Sequence, residues 1–241
     1  RLPFNDTDFE YDALNKISWI KGSDYKIRLS AASSGYQSVL PLSLITRFLS
    51  DLVLDNANKE DLSIKEKKQI EKEVNKVMND KSLTDGVKFA MLRNISSRFK
   101  YSCFVNIVEE MELNLYPESQ RSVLFDLLSY ANKIELNRLV LTTHSPYVIN
   151  YLTLAAKAFL LTQKISANET LQERIKEVVP ADSAIDPARL RIYELKDGGV
   201  FRLSTYEGLP SDENFLNIQL GVTNELFDQL LEIEQEFDYK N

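Results

Sequence analysis

The chain has 241 residues, 44% of them hydrophobic and 27% charged, with seven glycines and seven prolines. That excludes a disordered or collagen-like polypeptide and leaves room for a sizeable core in one large domain or two small ones. A formal net charge of −7 excludes a global attraction to nucleic acid or anionic lipid, and the single cysteine, Cys103, excludes an intrachain disulfide framework and fits a reducing compartment.

In chain order, Ile17-Ser18-Trp19-Ile20 and Tyr25-Lys26-Ile27-Arg28-Leu29 flank Lys21-Gly22-Ser23-Asp24 and predict a hairpin. The small-residue loop Ala31-Ala32-Ser33-Ser34-Gly35-Tyr36-Gln37 leads into a helix whose apolar positions include Val39, Leu40, Leu44, Phe48 and Leu52, with Pro41 near its front. Positions 59–81 are highly charged around a thin stripe of Ile70, Val74, Val77 and Met78. With the apolar segment 87–99 they predict an exposed helical hairpin inserted at about 55–100.

Positions 103–108 read as a buried strand, Pro117 as the start of a helix carrying Val123, Leu124, Leu127, Leu128 and Ala131, and positions 139–142 as a second buried strand. A helix is expected over 147–163. Positions 166–188 are polar and punctuated by Pro180 and Pro187. Leu190-Arg191-Ile192-Tyr193-Glu194-Leu195 and Val200-Phe201-Arg202-Leu203 flank Lys196-Asp197-Gly198-Gly199, a second hairpin. An amphipathic, acidic helix closes the chain at about 215–237, so that the C-terminal hairpin and helix cover about 189–237. No repeat or clear linker divides the sequence, and no apolar stretch is expected to be long enough to span a bilayer.

Three elements carry chemistry. Ser33-Ser34-Gly35-Tyr36-Gln37 precedes a helix, where free backbone N–H groups and a hydroxyl can bind an anion. Glu109 and Glu110 end the first strand; side chains alternate along an extended chain, so one carboxylate can face a metal and the other a water. His144, the only histidine, ends the second strand ahead of Ser145-Pro146. Each has a plainer reading by itself: an N-cap loop, two solvated acids, a structural or surface imidazole. Two short strand-like runs that each deliver polar groups at their carboxyl ends are nevertheless what a nucleotide site on an open α/β sheet requires.

In this order, Ser-Ser-Gly-x-Gln, apolar strand with Glu-Glu, apolar strand with Thr-His-Ser-Pro, the elements resemble the C-terminal lobe of an ABC-type ATPase head. The closest likeness is to the AAA-family ATPases grouped with OLD, RecF and SMC-like proteins. The run Glu109-Glu110-Met111-Glu112-Leu113-Asn114-Leu115-Tyr116-Pro117-Glu118-Ser119-Gln120 is similar to that group's Glu-Glu-Pro-Glu-x-x-Leu-His-Pro-x-x-Gln, with Met111 and Tyr116 as departures.

The resemblance implies an α/β fold, the C-terminal part of a P-loop NTPase: a mostly parallel sheet flanked by helices, with a helical insertion and positions 1–241 as one unit. It implies Glu109 at the Mg²⁺ position, Glu110 as the general base that orients water, and His144 as the γ-phosphate sensor. Ser33, Ser34, Gly35 and Gln37 fall in the signature loop that meets the ATP of an opposite subunit. The implied cofactors are ATP and Mg²⁺. The implied assembly is a homodimer through the signature and Walker B faces, cytoplasmic, with no membrane, and with a DNA or defence-system partner in a process such as repair or phage defence.

The sequence contains no Gly-x-x-x-x-Gly-Lys-[Ser/Thr], the loop that cradles the β- and γ-phosphates. The expectation is therefore a trailing portion of a head whose N-terminal lobe supplies that loop, with ATP hydrolysis only when the two are joined. The alternatives are a scaffold module that has lost the P-loop, and a metal-dependent nuclease using Glu109, Glu110 and Glu112. The lysines of positions 59–100, with Arg93 and Arg98, offer contacts to DNA phosphates, but they alternate with acids as a solvated helical face does.

Overall fold

A computed structural model describes residues 1–58, 64–80, 82–98 and 101–240. The N-terminal sheet has three antiparallel strands, β1 (Asp8–Asp12), β2 (Ile17–Lys21) and β3 (Lys26–Arg28), so the expected hairpin gains a strand on its outer side. Ile20 of β2 is fully buried and anchors this sheet to the core.

Helix α1 (Ser34–Asn58) follows, with Pro41 inside its second turn. Its stretch Ser34–Asp55 is, by length and composition, apolar enough to cross a membrane, which the sequence reading did not anticipate. In the fold its Val39, Leu40, Thr46, Ser50 and Val53 are buried, and it packs against α4, the helix of the crossover described next. The inserted hairpin comprises α2 (Ile64–Met78) and α3 (Asp85–Arg98), packed on each other. Val77 and Ile95 are buried in it, whereas Met78, placed in the stripe from sequence, is exposed. Positions 59–63, 81, 99 and 100 of the insertion lie outside the described residues.

The centre of the molecule is a β-α-β crossover: β4 (Val105–Glu109), α4 (Pro117–Asn132) and β5 (Arg138–Thr142). The strands are parallel, with Val105 opposite Arg138 and Glu109 opposite Thr142. Pro117 occupies the first turn of α4, where its missing N–H costs nothing. Buried Asn137 pins the crossover: its Oδ1 accepts from the Phe104 N–H at 3.1 Å and its Nδ2 donates to the Tyr130 carbonyl at 3.2 Å. A second buried bond, Asn106 Nδ2 to Thr46 Oγ1 at 2.8 Å, ties β4 to α1. Helix α5 (Pro146–Lys164) leaves β5 directly, with Val148, Leu152, Ala155 and Ala158 in the same core as Val108, Val123, Leu124 and Leu127.

The sequence predicts two buried strands, but only one face of the pair is covered. Asn106 and Val108 point into the core, while Val105 and Ile107 of β4 are 57% and 69% exposed and Val140 of β5 is 47% exposed. Parallel strands normally have both faces covered, whereas among the described residues one face of this pair is open.

The remaining chain is short and local. The polar stretch after α5 contains a helix that the sequence reading left unassigned, α6 (Glu169–Val178), capped by Asn168 accepting from the Leu171 N–H at 3.1 Å. Strands β6 (Tyr193–Lys196) and β7 (Gly199–Arg202) form the second expected hairpin. Asp197 and Gly198 both have positive φ (51° and 74°), the conformation a two-residue Asp-Gly turn supplies. A small hairpin of β8 (Thr205–Tyr206) and β9 (Leu209–Pro210) repeats the device with Glu207 and Gly208.

Helix α7 (Phe215–Lys240) ends the chain. It is nailed at its start by fully buried Asn214, whose Oδ1 accepts from the Asn217 N–H, and by Glu194 Oε1 accepting from the Phe215 N–H. The fold is thus mixed α/β with a short parallel sheet. The sequence expectation of a mostly parallel sheet is corrected: among the described residues only β4 and β5 pair in parallel, and the other seven strands are antiparallel.

Candidate functional site at the carboxyl ends of β4 and β5

Parallel pairing brings the ends of β4 and β5 side by side although 33 residues separate Glu109 from its partner Thr142. Glu109 is the last residue of β4 and is exposed. Glu110 lies beyond the strand, in the left-handed region at φ 48°. That conformation is held by its N–H, which donates to the Thr142 carbonyl at 3.0 Å and approaches Thr142 Oγ1 at 3.3 Å. A non-glycine residue there is strained by about 1–2 kcal/mol. Strand alternation, invoked from sequence to send the two carboxylates to opposite sides, therefore stops at Glu109. The left-handed backbone, not the pleat, orients Glu110.

Glu110 Oε1 lies 3.4 Å from Nε2 of His144. The imidazole is 84% exposed and the carboxylate 40% exposed, so both are open to a ligand arriving at the rim. The loop carrying His144 is held from below by Glu112. Its Oε1 accepts from Thr143 Oγ1 at 2.8 Å and from the His144 N–H at 2.6 Å, while Oε2 is buried without a hydrogen-bond partner. A second clamp joins Ser145 Oγ to Gln120 Oε1 at 2.6 Å, and Gln120 Nε2 donates to the Leu115 carbonyl at 3.0 Å. These side chains order the loop before α5 against the loop before α4.

Sequence reasoning quoted Glu112 and Gln120 in the motif but gave neither this role, and it passed over Thr143 and Ser145. The two halves of each bond are 31 and 25 residues apart, and no local pattern links them.

The other candidate residues sit at the front of α1. Ser33 and Ser34 are exposed. Gln37 Nε2 donates to the Ala32 carbonyl at 2.8 Å, folding the side chain back on its own loop. Gly35 is buried, and a Cβ there would lie 2.9 Å from the Asn114 carbonyl oxygen and 3.1 Å from Leu115 Cδ2. Only glycine lets α1 begin this close to the Glu112–Leu115 turn. The structure therefore brings the front of α1 against the turn that follows Glu110. No hydrogen bond or ion pair among the described residues joins Ser33, Ser34, Gly35 or Gln37 to Glu109, Glu110 or His144.

Among the described residues no three His, Cys, Asp or Glu side chains gather as a metal site. Mg²⁺ bound with a nucleotide needs only one or two carboxylates, because phosphates and water complete its shell. Glu109, an exposed carboxylate at the rim, suits that role, and the buried free oxygen of Glu112 does not reach outward to share it. Chemically the rim offers one carboxylate for an ion, a carboxylate–imidazole pair for water and an anion, and a rigid support beneath them. No family model matches this chain, and no curated protein matches its sequence.

Proposed function

We propose that this chain is the C-terminal portion of an ABC-type ATPase head, active as an ATP hydrolase when joined to a lobe that carries the P-loop. The observation that carries the reading is the convergence of Glu110 Oε1 and His144 Nε2, 3.4 Å apart at the carboxyl rim of a parallel β-α-β unit. The bare apolar face of Val105, Ile107 and Val140 supports it, because a further lobe of sheet and helix is what such a face accommodates.

In this reading ATP with Mg²⁺ supplies the phosphoryl group and the charge that activates it. Glu109 holds the ion side of the rim. Glu110 accepts a hydrogen bond from the attacking water and orients it, and His144 donates to the terminal phosphate. Glu112 and Gln120 keep the histidine loop in place. Ser33 and Ser34, exposed at the front of α1, face the nucleotide of a second head, and Gly35 sets that loop close to the rim. The two heads form a homodimer around ATP, in the cytoplasm, in a DNA-linked process such as repair or phage defence.

The test is turnover and binding in the protein that includes the P-loop lobe. Glu110→Gln should keep ATP binding and abolish hydrolysis; hydrolysis at the parental rate rejects the assignment. The absence of a P-loop sequence from the chain favours one second reading, a non-catalytic scaffold. Calorimetric titration of that same protein with ATP and Mg²⁺ separates the two, because a scaffold gives no heat.

A further inference from the structure

Helix α7 stands apart from the body that anchors its first turn. From Thr223 to Tyr239 every residue is exposed. Yet the helix is not polar. Ile218, Val222, Leu226, Leu230, Ile233 and Phe237 recur at intervals of three and four and form one continuous stripe along it. Five of them are 51–67% exposed, and Val222 is half-buried. Helices in water owe most of their stability to packing of such a stripe, so a partner surface is expected.

Spacing and charge together identify that surface. Laid antiparallel on a copy of itself, α7 sets Ile218 level with Phe237, Val222 with Ile233, and Leu226 within one residue of level with Leu230. The stripe is self-complementary, as a two-fold interface demands. The helix has six acids, Glu225, Asp228, Glu232, Glu234, Glu236 and Asp238, and one basic residue, Lys240. A parallel pair would stack those acids on themselves. The antiparallel pair sets the four between positions 232 and 238 level with Thr223, Gly221, Gln219 and Asn217, which are uncharged, and beside the positive end of the other helix dipole. A helix of 26 residues is about 39 Å long, so the two bodies sit at opposite ends without colliding.

We propose that α7 is a dimerisation element that pairs antiparallel with α7 of a second copy of this chain, without nucleotide. This surface is separate from the β4–β5 rim and does not depend on the function proposed for that rim.

The experiment is sedimentation of the 241-residue chain in nucleotide-free buffer, with thiol cross-linking in a Cys103→Ser background. The expected result is a dimer that Leu226→Asp with Leu230→Asp weakens by roughly a hundredfold or more, with the thermal unfolding of the body unchanged. Leu226→Cys, near the two-fold, should cross-link to itself through a short bifunctional reagent. Ile218→Cys should not, since its two copies lie about 28 Å apart, but it should cross-link when mixed with Phe237→Cys. A monomeric chain overturns the proposal and leaves the stripe to a different partner. So does a dimer that survives the double aspartate variant, or self-cross-linking of Ile218→Cys, which requires parallel helices.

Discussion

The imidazole of His144 lies 3.4 Å from the carboxylate of Glu110, and the two residues never meet along the chain: one follows β4, the other follows β5. Their proximity is a product of the parallel register and of the left-handed backbone at Glu110.

If this pair handles water and phosphate, each member is separately required. In the protein carrying the P-loop lobe, Glu110→Gln should lower kcat by about 10²–10⁴-fold with nucleotide affinity retained. His144→Ala should fall in the same range. Phosphate release under saturating ATP, with fluorescent-nucleotide binding in parallel, checks both.

Glu112 supports the histidine loop without facing the rim. Removing its carboxylate in Glu112→Ala leaves the His144 N–H and the Thr143 hydroxyl without their acceptor. The loop should loosen, with a stability loss of about 1–3 kcal/mol. Because the chain has one histidine, the imidazole Hε1 resonance is unambiguous. It should move and broaden in Glu112→Ala and stay sharp in Glu118→Ala, a change at an exposed site on α4.

Gly35 is a packing glycine as well as a loop residue. The Cβ of Gly35→Ala meets a backbone carbonyl, which cannot swing aside as a side chain does. A loss of about 1–3 kcal/mol is expected, read as a shift in the urea midpoint with unchanged m-value.

Asp126 on α4 gives the chain a pH-dependent term. Burial, helped by the nearby charge of Asp182 and opposed by Lys133 and Arg47, raises its pKa from 3.8 to about 6. A carboxyl whose pKa is raised on folding stabilises the fold in its protonated form. Its contribution is complete below the unfolded value and is lost as pH rises through about 6. Asp126→Asn should therefore stabilise the chain by about 1–2 kcal/mol at about pH 7.5 and give no gain at about pH 4. Denaturant melts at the two pH values measure the difference.

The uncovered sheet face makes its own prediction. Ile107→Thr, at a residue 69% exposed, should change the stability of this chain by no more than about 0.5 kcal/mol. If the proposed P-loop lobe covers this face, the same hydroxyl in the joined protein is buried without a guaranteed partner, and the loss should reach about 1–3 kcal/mol. Equal effects in the two contexts would mean that nothing covers this face.

Much of the secondary structure was legible in the sequence because its causes are local. Pro117 and Pro146 mark helix starts, the apolar spacing of α1, α4 and α5 is helical, and Asp197-Gly198 dictates a tight turn. Helix α6 was missed because its apolar residues are few and its start rests on a single cap, Asn168. Strand β1 was missed although Asp8-Phe9-Glu10-Tyr11-Asp12 alternates, because Asp and Glu have low strand propensity and only pairing with β2 makes so short a run a strand.

The chain order therefore determined which residue types reach the ends of β4 and β5, and that α7 is acidic and carries an apolar stripe at helical spacing. Only the tertiary structure decided that Glu110 turns toward His144, that Glu112 and Gln120 brace the histidine loop, and that one face of the parallel pair is bare. Those features depend on contacts between groups some 25 to 34 residues apart or on a neighbouring layer, and periodicity carries no information about either.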